Sequence, residues 1–267
     1  MVIHPFYGPS LPENGWVPAP RYLLRRQLIL DCLQEQEKCE LLEIGPGAGA
    51  LLYELAICGW KCSALEQSPQ ALKIAESLHN RPALAKFFSK PQRGWDAHFD
   101  WLMAMEVLEH IEDDTTALAQ WSTWLKPGGQ ILLSVPAHQD KWNKTDVWAG
   151  HYRRYERDQL LQLFDKCGFT VVRIMCYGFP VGNLIEPIRA RHHGRLLDKR
   201  GKASSTDEFM KQNTEQSGIS RSLEKQIYPL YSNFMGVSFM KCALWLQRKF
   251  IDTDFGTGYL IHARRIN

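Results

Sequence analysis

One junction constrains this chain more than any other. The apolar run CELLEI breaks at Gly45-Pro46-Gly47-Ala48-Gly49, and LLYELAICGW resumes at helical spacing directly after it. A short apolar strand that ends in a glycine turn and opens into a helix begins a βαβ unit, and glycines there let the backbone approach a bound ligand closely. The pattern then repeats. KCSALEQS predicts a second strand with an acid at its end, SPQALKIAESL a helix capped by Ser68 with Pro69 in its first position, and FDWLMAM another strand. DDTTALAQWSTWL predicts a helix over 113–125 that stops at KPGG, after which QILLSVP is a strand, ERDQLLQLFDKCGF a helix, and TVVRIMCY and GTGYLIHARRI further strands. Strands separated by helices of about 10–15 residues imply right-handed crossovers and a parallel sheet covered on both faces.

The flanks read differently. Residues 1–20 carry Pro5, Pro9, Pro12, Pro18 and Pro20 with Gly8 and Gly15, which predicts an extended arm. RYLLRRQLILDCLQEQ predicts an amphipathic first helix from Arg21 to about Gln36, with Leu23, Leu24, Leu28 and Leu33 on one face and Arg25 and Arg26 between them. Residues 178–256 hold a basic stretch (Arg189 to Lys202), a polar stretch predicted to be flexible near 200–220, and the apolar, aromatic run YPLYSNFMGVSFMKCALWLQRKF. They predict a mostly helical insertion before the last strand. The expected organisation is an arm and first helix over 1–37, a core over 38–177 and 257–267, and the insertion over 178–256. No internal repeat is present.

Composition excludes some partners. Thirty-two basic against 29 acidic residues leave a net charge of +3, too little to imply nucleic-acid binding. Seven cysteines without a CxxC pair predict reduced thiols. The first residues lack a basic segment followed by an apolar one, and no apolar run reaches the roughly 18 residues of a spanning helix, so a cytoplasmic location is expected.

The glycine loop is not a dinucleotide fingerprint. Gly45, Gly47 and Gly49 alternate, and Glu43 would repel a phosphate while suiting an ammonium group. Glu66, at the end of the next strand, can accept both hydroxyls of a ribose. The pair suits a nucleoside without phosphates.

LLEIGPGAG, the acid in ALEQS, FDWLMAMEVLEHIEDD and LKPGGQILLSVP together resemble the ordered motifs of class I S-adenosylmethionine-dependent methyltransferases over residues 38–175. The resemblance implies an α/β, Rossmann-like, doubly wound seven-stranded sheet and S-adenosylmethionine as cofactor. By position it places Glu43, Gly45, Pro46, Gly47 and Gly49 at the methionine part, Glu66 at the ribose, Gln67 beside the adenine, and Met105 and Glu106 beside the cofactor. The family's Gly-Asp after the third strand has no clean counterpart in FFSKPQRGWD, where Ser89 and Asp96 are the candidates for the adenine amine.

On the acceptor side, Glu106, Glu109 and His110 stand at i, i+3 and i+4, which predicts one helical turn presenting all three, and His151 lies on a loop at the same sheet end. They are the candidate catalytic residues. The same four, Glu106, Glu109, His110 and His151, suit a divalent cation (Mg, Mn or Zn) and are similar to the Glu-x-x-Glu-His of ubiquinone O-methyltransferases and of terminal-ribose methyltransferases of small RNA. There the cation lowers the pKa of acceptor hydroxyls. His138 is a further candidate, and Tyr152, Arg153, Arg154 and Tyr155 with Trp142 and Trp148 could line an acceptor pocket.

The function expected is methyl transfer to a small-molecule acceptor, apolar or anionic, at a phenolic, quinol, sugar or lipid-like hydroxyl. N-methylation, terminal-ribose RNA methylation and cofactor binding without catalysis are the alternatives. The insertion and arm would choose the acceptor. Contact with a membrane surface is weighed too, but packing of the apolar run onto the sheet is the expectation.

Overall fold

The computed structural model, which describes residues 1–79, 84–200 and 221–266, folds the proline-rich start where an extended arm is expected. β1 (Val2–His4) and β2 (Gly8–Ser10) pair antiparallel. The hairpin holds because Tyr7 and Trp16 are almost wholly buried, and burial of large aromatic side chains offsets the ordering of a short segment. α1 then runs over Pro20–Leu33, ending three residues before the point its periodicity suggests, with Pro20 in its first turn.

β3 (Glu40–Ile44), α2 (Ala50–Ile57), β4 (Lys61–Leu65), α3 (Pro69–Leu78), β5 (Ala85–Phe88), β6 (Phe99–Met105), α4 (Asp114–Trp124) and β7 (Leu125–Pro136) follow in chain order. Ser68 caps α3 by accepting from the Ala71 amide, as its sequence implies. β5 has no counterpart among the strands read from sequence: AKFF is a short edge strand, without the buried run that marks its neighbours. α5 (Lys144–Ala149), α6 (Arg157–Lys166), β8 (Phe169–Tyr177), α7 (Val181–Arg200), α8 (Ser222–Tyr231), α9 (Phe234–Arg248) and β9 (Gly258–Arg265) complete the described elements. The polar stretch expected to be flexible near 200–220 lies outside the described residues.

Seven strands form one sheet in the order β5-β4-β3-β6-β7-β9-β8. β3 pairs parallel with both β4 and β6, while β9 runs antiparallel between β7 and β8. Successive strand residues bury against opposite layers. Leu42, Leu102 and Leu133 pack with Leu118 and Trp121 of α4 and Phe164 of α6, whereas Leu41, Trp101, Met103 and Leu132 pack with Leu28 and Ile29 of α1 and Leu51, Leu52 and Leu55 of α2. This is the doubly wound α/β fold. The order of strands reverses between β3 and β6, and in open parallel sheets the crevice beyond the carboxyl ends at such a point is where ligands bind.

Tyr7, Leu23 and Leu24 pack with Val181 of α7 and with Met240, Ala243 and Leu244 of α9, so the N-terminal segment and the helices before β9 share one cluster. Gln247 pins it, donating to the Leu24 carbonyl and accepting from the Gly178 amide.

Candidate functional site

The glycine loop leaves β3 at the strand-order switch. Gly45 and Gly49 have φ of +63° and +70°, a region that penalises any Cβ. At Gly45 an added Cβ would also stand 2.7 Å from Val107 Cγ2. Glu66, just past β4, reaches back to the loop: its carboxylate accepts from the Gly47 amide at 3.0 Å and from the Ser68 amide at 2.8 Å. Two amides fix that carboxylate at the loop. Glu43 is buried beneath it, and burial pushes its carboxyl up to about 8. Its Oε2 has no hydrogen-bond partner. A buried carboxyl with an orphaned oxygen beside a glycine turn is suited to a cationic group.

Of the other residues predicted to surround a cofactor, Met105 is buried at the end of β6 and Gln67 is exposed after Glu66. Ser89 follows β5, whose Phe88 carbonyl accepts from the Glu66 amide, so it shares the edge of the loop. Asp96 is exposed in the turn entering the N-terminal end of β6, where Ala97 bonds the end of α4. Those are opposite ends of the parallel strands.

The predicted helical turn is shorter than the sequence suggests. Leu108–His110 is a single 3-10 turn, and Glu106 precedes it with φ +59°. Its side chain therefore turns away from Glu109 and His110. The Glu106 carboxylate accepts from the Tyr177 hydroxyl at 2.7 Å, from Ser134 Oγ at 3.2 Å and from Arg21 at 2.9 Å, and it pairs with Arg25 at 3.2 Å. Burial alone would raise this carboxyl, but the two guanidiniums and the Tyr177 hydroxyl pull it down to about 2. In the sequence Arg21 only opens the first helix and Arg25 stands between its leucines, and nothing in their spacing points to a carboxylate 85 residues beyond Arg21.

Glu109, His110 and His151 do converge. Their ligand-type atoms all lie within 4.8 Å of one another. Glu109 is completely buried, and burial with the charge of Glu106 holds its carboxyl well above the usual range. Neither of its oxygens has a hydrogen-bond partner, and His151 Nε2 stands 3.8 Å from Oε1. The His110 and His151 rings meet edge to face at 4.7 Å. Burial and His151 push His110 down to about 3, so it is neutral at pH 7.

α5 delivers His151. Gly150 closes the helix with φ +77°, the His151 amide bonds the Asp146 carbonyl, and the Tyr152 amide bonds the Glu109 carbonyl. The side chain is held the same way: His151 Nδ1 lies 2.9 Å from Asp146 Oδ1. Asp146 is buried, yet its bonds to His151 and Arg154 keep it well below the ordinary carboxylate range. A carboxylate can only accept, so Nδ1 carries the hydrogen and Nε2 is left as the basic nitrogen facing Glu109. Asp146 was not among the sequence candidates. It stands in the first turn of α5, five residues before His151.

Arg154 holds this dyad from behind. It forks onto Asp146 at 2.9 and 2.7 Å and also bonds Glu186 of α7. Tyr155 donates to Asp114, and Arg153 pairs with Asp114. The arginines and tyrosine expected to meet an acceptor are thus engaged by the protein, and Tyr152 alone of the four is exposed. Trp148 is buried and stacks on His193 at 4.1 Å, while Trp142 is half-buried. His138 belongs to a separate group with Asp140 and Glu156, and its Nδ1 lies 3.3 Å from Glu156. Among the described residues no helix is long and apolar enough to cross a membrane.

Residues 19–174 match the family model of the methyltransferase domain. A ubiquinone biosynthesis O-methyltransferase of Xanthomonas euvesicatoria pv. vesicatoria (strain 85-10) is 31% identical over 134 residues, which are 48% of this chain and 53% of that protein. The chain thus spans about half the length of the curated relatives it matches. Among solved structures, the cyclase SpnF superposes with a TM-score of 0.58 at 18% identity, covering 94% of this chain and 84% of its own. Phosphoethanolamine N-methyltransferase 2 of Haemonchus contortus, in complex with S-adenosyl-L-methionine, superposes with a TM-score of 0.56 at 17% identity, covering 91% of this chain and 52% of its own. At such identities the likeness is one of fold.

Proposed function

The chain belongs to the methyltransferase domain family, and from that premise we propose that it transfers the methyl group of S-adenosylmethionine to a hydroxyl oxygen of a small-molecule acceptor. One observation carries the choice of oxygen: the Asp146 contact at 2.9 Å leaves His151 Nε2 as the basic nitrogen, and it faces Glu109 at 3.8 Å. A hydroxyl must lose its proton as it is methylated, whereas an amine can attack first through its own lone pair.

S-adenosylmethionine supplies the methyl group on a sulfonium. The residues fit it: the orphaned oxygen of Glu43 suits its ammonium, and Glu66, a carboxylate fixed at the loop by two amides, suits a ribose diol. Gly45, Pro46, Gly47 and Gly49 would form the loop beside the methionine part, with Gln67 and Met105 flanking the nucleoside. On the acceptor side, His151 takes the hydroxyl proton at Nε2, and the ionised Asp146 stabilises the imidazolium that forms. Glu109, held neutral by burial, donates a hydrogen bond to the acceptor, and Glu106 with Arg21, Arg25 and Tyr177 fixes the wall between the two halves of the site. Residues 178–256, packed with the segment 1–37, would roof the acceptor and select it, over a cofactor-binding core of 38–177 and 257–267.

A second reading is favoured by the convergence of Glu109, His110 and His151 within 4.8 Å. A divalent cation held there would lower the pKa of acceptor hydroxyls, with Glu109 ionised and Glu106, tied to its arginines, outside the ligand set. Calorimetry with S-adenosylhomocysteine, with and without chelator, followed by Mg²⁺, Mn²⁺ and Zn²⁺ titration into the complex, separates the two. Micromolar cofactor binding without a metal isotherm supports proton removal by His151. A metal isotherm lost in Glu109→Gln supports the cation. No cofactor binding overturns both.

A further inference from the structure

α9 has two faces of opposite character. Met240, Ala243, Leu244 and Gln247 turn inward. On the other side Phe234 is 85% exposed, Met235 78%, Phe239 59% and Trp245 60%. Met235 and Phe239 stand one turn apart, and Phe234 and Trp245 fall on the same half of the helix, away from the buried four. The sequence pattern leads one to expect this apolar run to pack wholly onto the sheet, and half of it does not. Soluble chains rarely leave contiguous aromatic surface in water without a partner for it. The hairpin extends the surface: His4 Nε2 lies 3.2 Å from the Ser232 carbonyl, which sets the exposed Ile3 beside the turn into α9.

Within α9 and the residue after it the charge has one sign, and Arg248 pairs with Asp31 of α1 at 2.6 Å. Residues 234–249 contain Lys241, Arg248 and Lys249 and no acid. Lys241 and Lys249 are exposed, each with its ammonium about 5.5 Å from an aromatic ring, Phe6 and Trp245 respectively. Residues 181–200 and 221–249 together hold ten basic and three acidic residues, in a chain whose net charge is only +3. Three of these basic residues lie on or directly after the helix that carries the exposed apolar face.

We propose that the outer face of α9 docks this protein on an anionic lipid surface, with Phe234, Met235, Phe239 and Trp245 entering the headgroup region and Lys241 and Lys249 meeting lipid phosphates. Aromatic and long apolar side chains on one side of a helix, flanked by lysines whose stems reach past the apolar boundary, are what an interfacial helix requires. A second copy of the chain is a poorer occupant. A two-fold contact through this face would bring the lysines of one copy against those of the other, and no acid on the face answers them. The inference does not depend on methyl transfer.

The test is co-sedimentation of the full chain with vesicles of phosphatidylcholine alone and of phosphatidylcholine with phosphatidylglycerol. The expected result is binding to the anionic vesicles, weakened by salt, and little to the neutral ones. Phe239→Glu with Trp245→Glu should lower the partition at least tenfold. Lys241→Glu with Lys249→Glu should lower it by roughly fivefold for each lysine. Both pairs replace exposed side chains, and their thermal unfolding should match the parent chain. An environment-sensitive fluorophore on Cys242, which is exposed on the same face, should shift to the blue with anionic vesicles in a Cys58→Ser chain that is otherwise unchanged. The proposal is overturned if the parent chain stays in the supernatant with anionic vesicles. It is equally overturned if the Phe239 and Trp245 pair binds as well as the parent, or if the parent is a dimer that this pair converts to monomer.

Discussion

His151 Nδ1 and Asp146 Oδ1 stand 2.9 Å apart across the end of α5, and this contact decides which imidazole nitrogen is free to work. If His151 removes the acceptor proton, His151→Ala should lower kcat by about 10²-fold or more while leaving S-adenosylhomocysteine affinity nearly unchanged. Asp146→Asn should cost a similar factor, because an amide can donate to Nδ1 and stabilise the tautomer with hydrogen on Nε2. Rates are best compared over phenols of decreasing pKa. The loss should shrink as the phenol ionises unaided. A loss that stays constant across the series points instead to a role in structure.

The carboxyl of Glu43, raised by burial to about 8, is mostly protonated at pH 7 in the free protein. A bound ammonium favours the carboxylate, so binding S-adenosylhomocysteine at pH 7 should release close to one proton. Calorimetry in buffers of different ionisation enthalpy reads that proton. Affinity should rise by up to tenfold per pH unit toward pH 8 and level off above it, where Glu43 is ionised in the free protein too. In the unliganded protein the sign is opposite for stability: the unfolded chain ionises this carboxyl from about 4.5 and the folded one only from about 8, so its contribution falls between those values. Glu43→Gln should remove both slopes, and proton release that survives in this variant would assign it to another group.

Most of the sheet was legible because its strands, buried on both faces, read as nearly continuous apolar runs, and the helices between them carry their own caps. AKFF was not, since a four-residue edge strand buries too little to leave a pattern. The glycine loop and Glu66 were legible as chemistry because they are adjacent to strand ends that periodicity locates. The acceptor side was legible only in its residue types. Glu109, His110 and His151 do meet, but Glu106 departs with Arg21 and Arg25 because a positive φ at one position redirects its side chain, and no periodicity encodes that. The link between Asp146 and Arg154 was not legible for the same reason. Their pairing crosses a turn whose geometry rests on Gly150, and the sequence shows only an acid and a base eight residues apart.

Gly45 should tolerate no side chain. Gly45→Ala places a Cβ 2.7 Å from Val107 Cγ2 at a φ of +63°. The backbone alone costs about 1–2 kcal/mol and overpacking adds about 1–3 kcal/mol. Thermal unfolding should fall by roughly 5–15 °C for a chain of this size. Adding Val107→Ala relieves the contact but not the backbone strain, so the double variant should regain only part of the loss. Full recovery would show that the left-handed conformation carries no cost here.

Arg154 is the residue whose change should separate stability from catalysis. It is buried and forks onto Asp146 while bonding Glu186, so Arg154→Met strands two carboxylates and should cost about 3–5 kcal/mol, measured by denaturant unfolding. Arg154→Lys keeps the charge but loses the planar fork that fixes both oxygens of Asp146. Its unfolding midpoint should fall less than that of the methionine variant. Its kcat should nonetheless drop at least tenfold, because an Asp146 free to rotate no longer holds the His151 tautomer. If the lysine variant keeps full kcat, the fork serves only to join α5 to α7, and the orientation of His151 must be set by its own backbone bond to Asp146 and that of Tyr152 to Glu109.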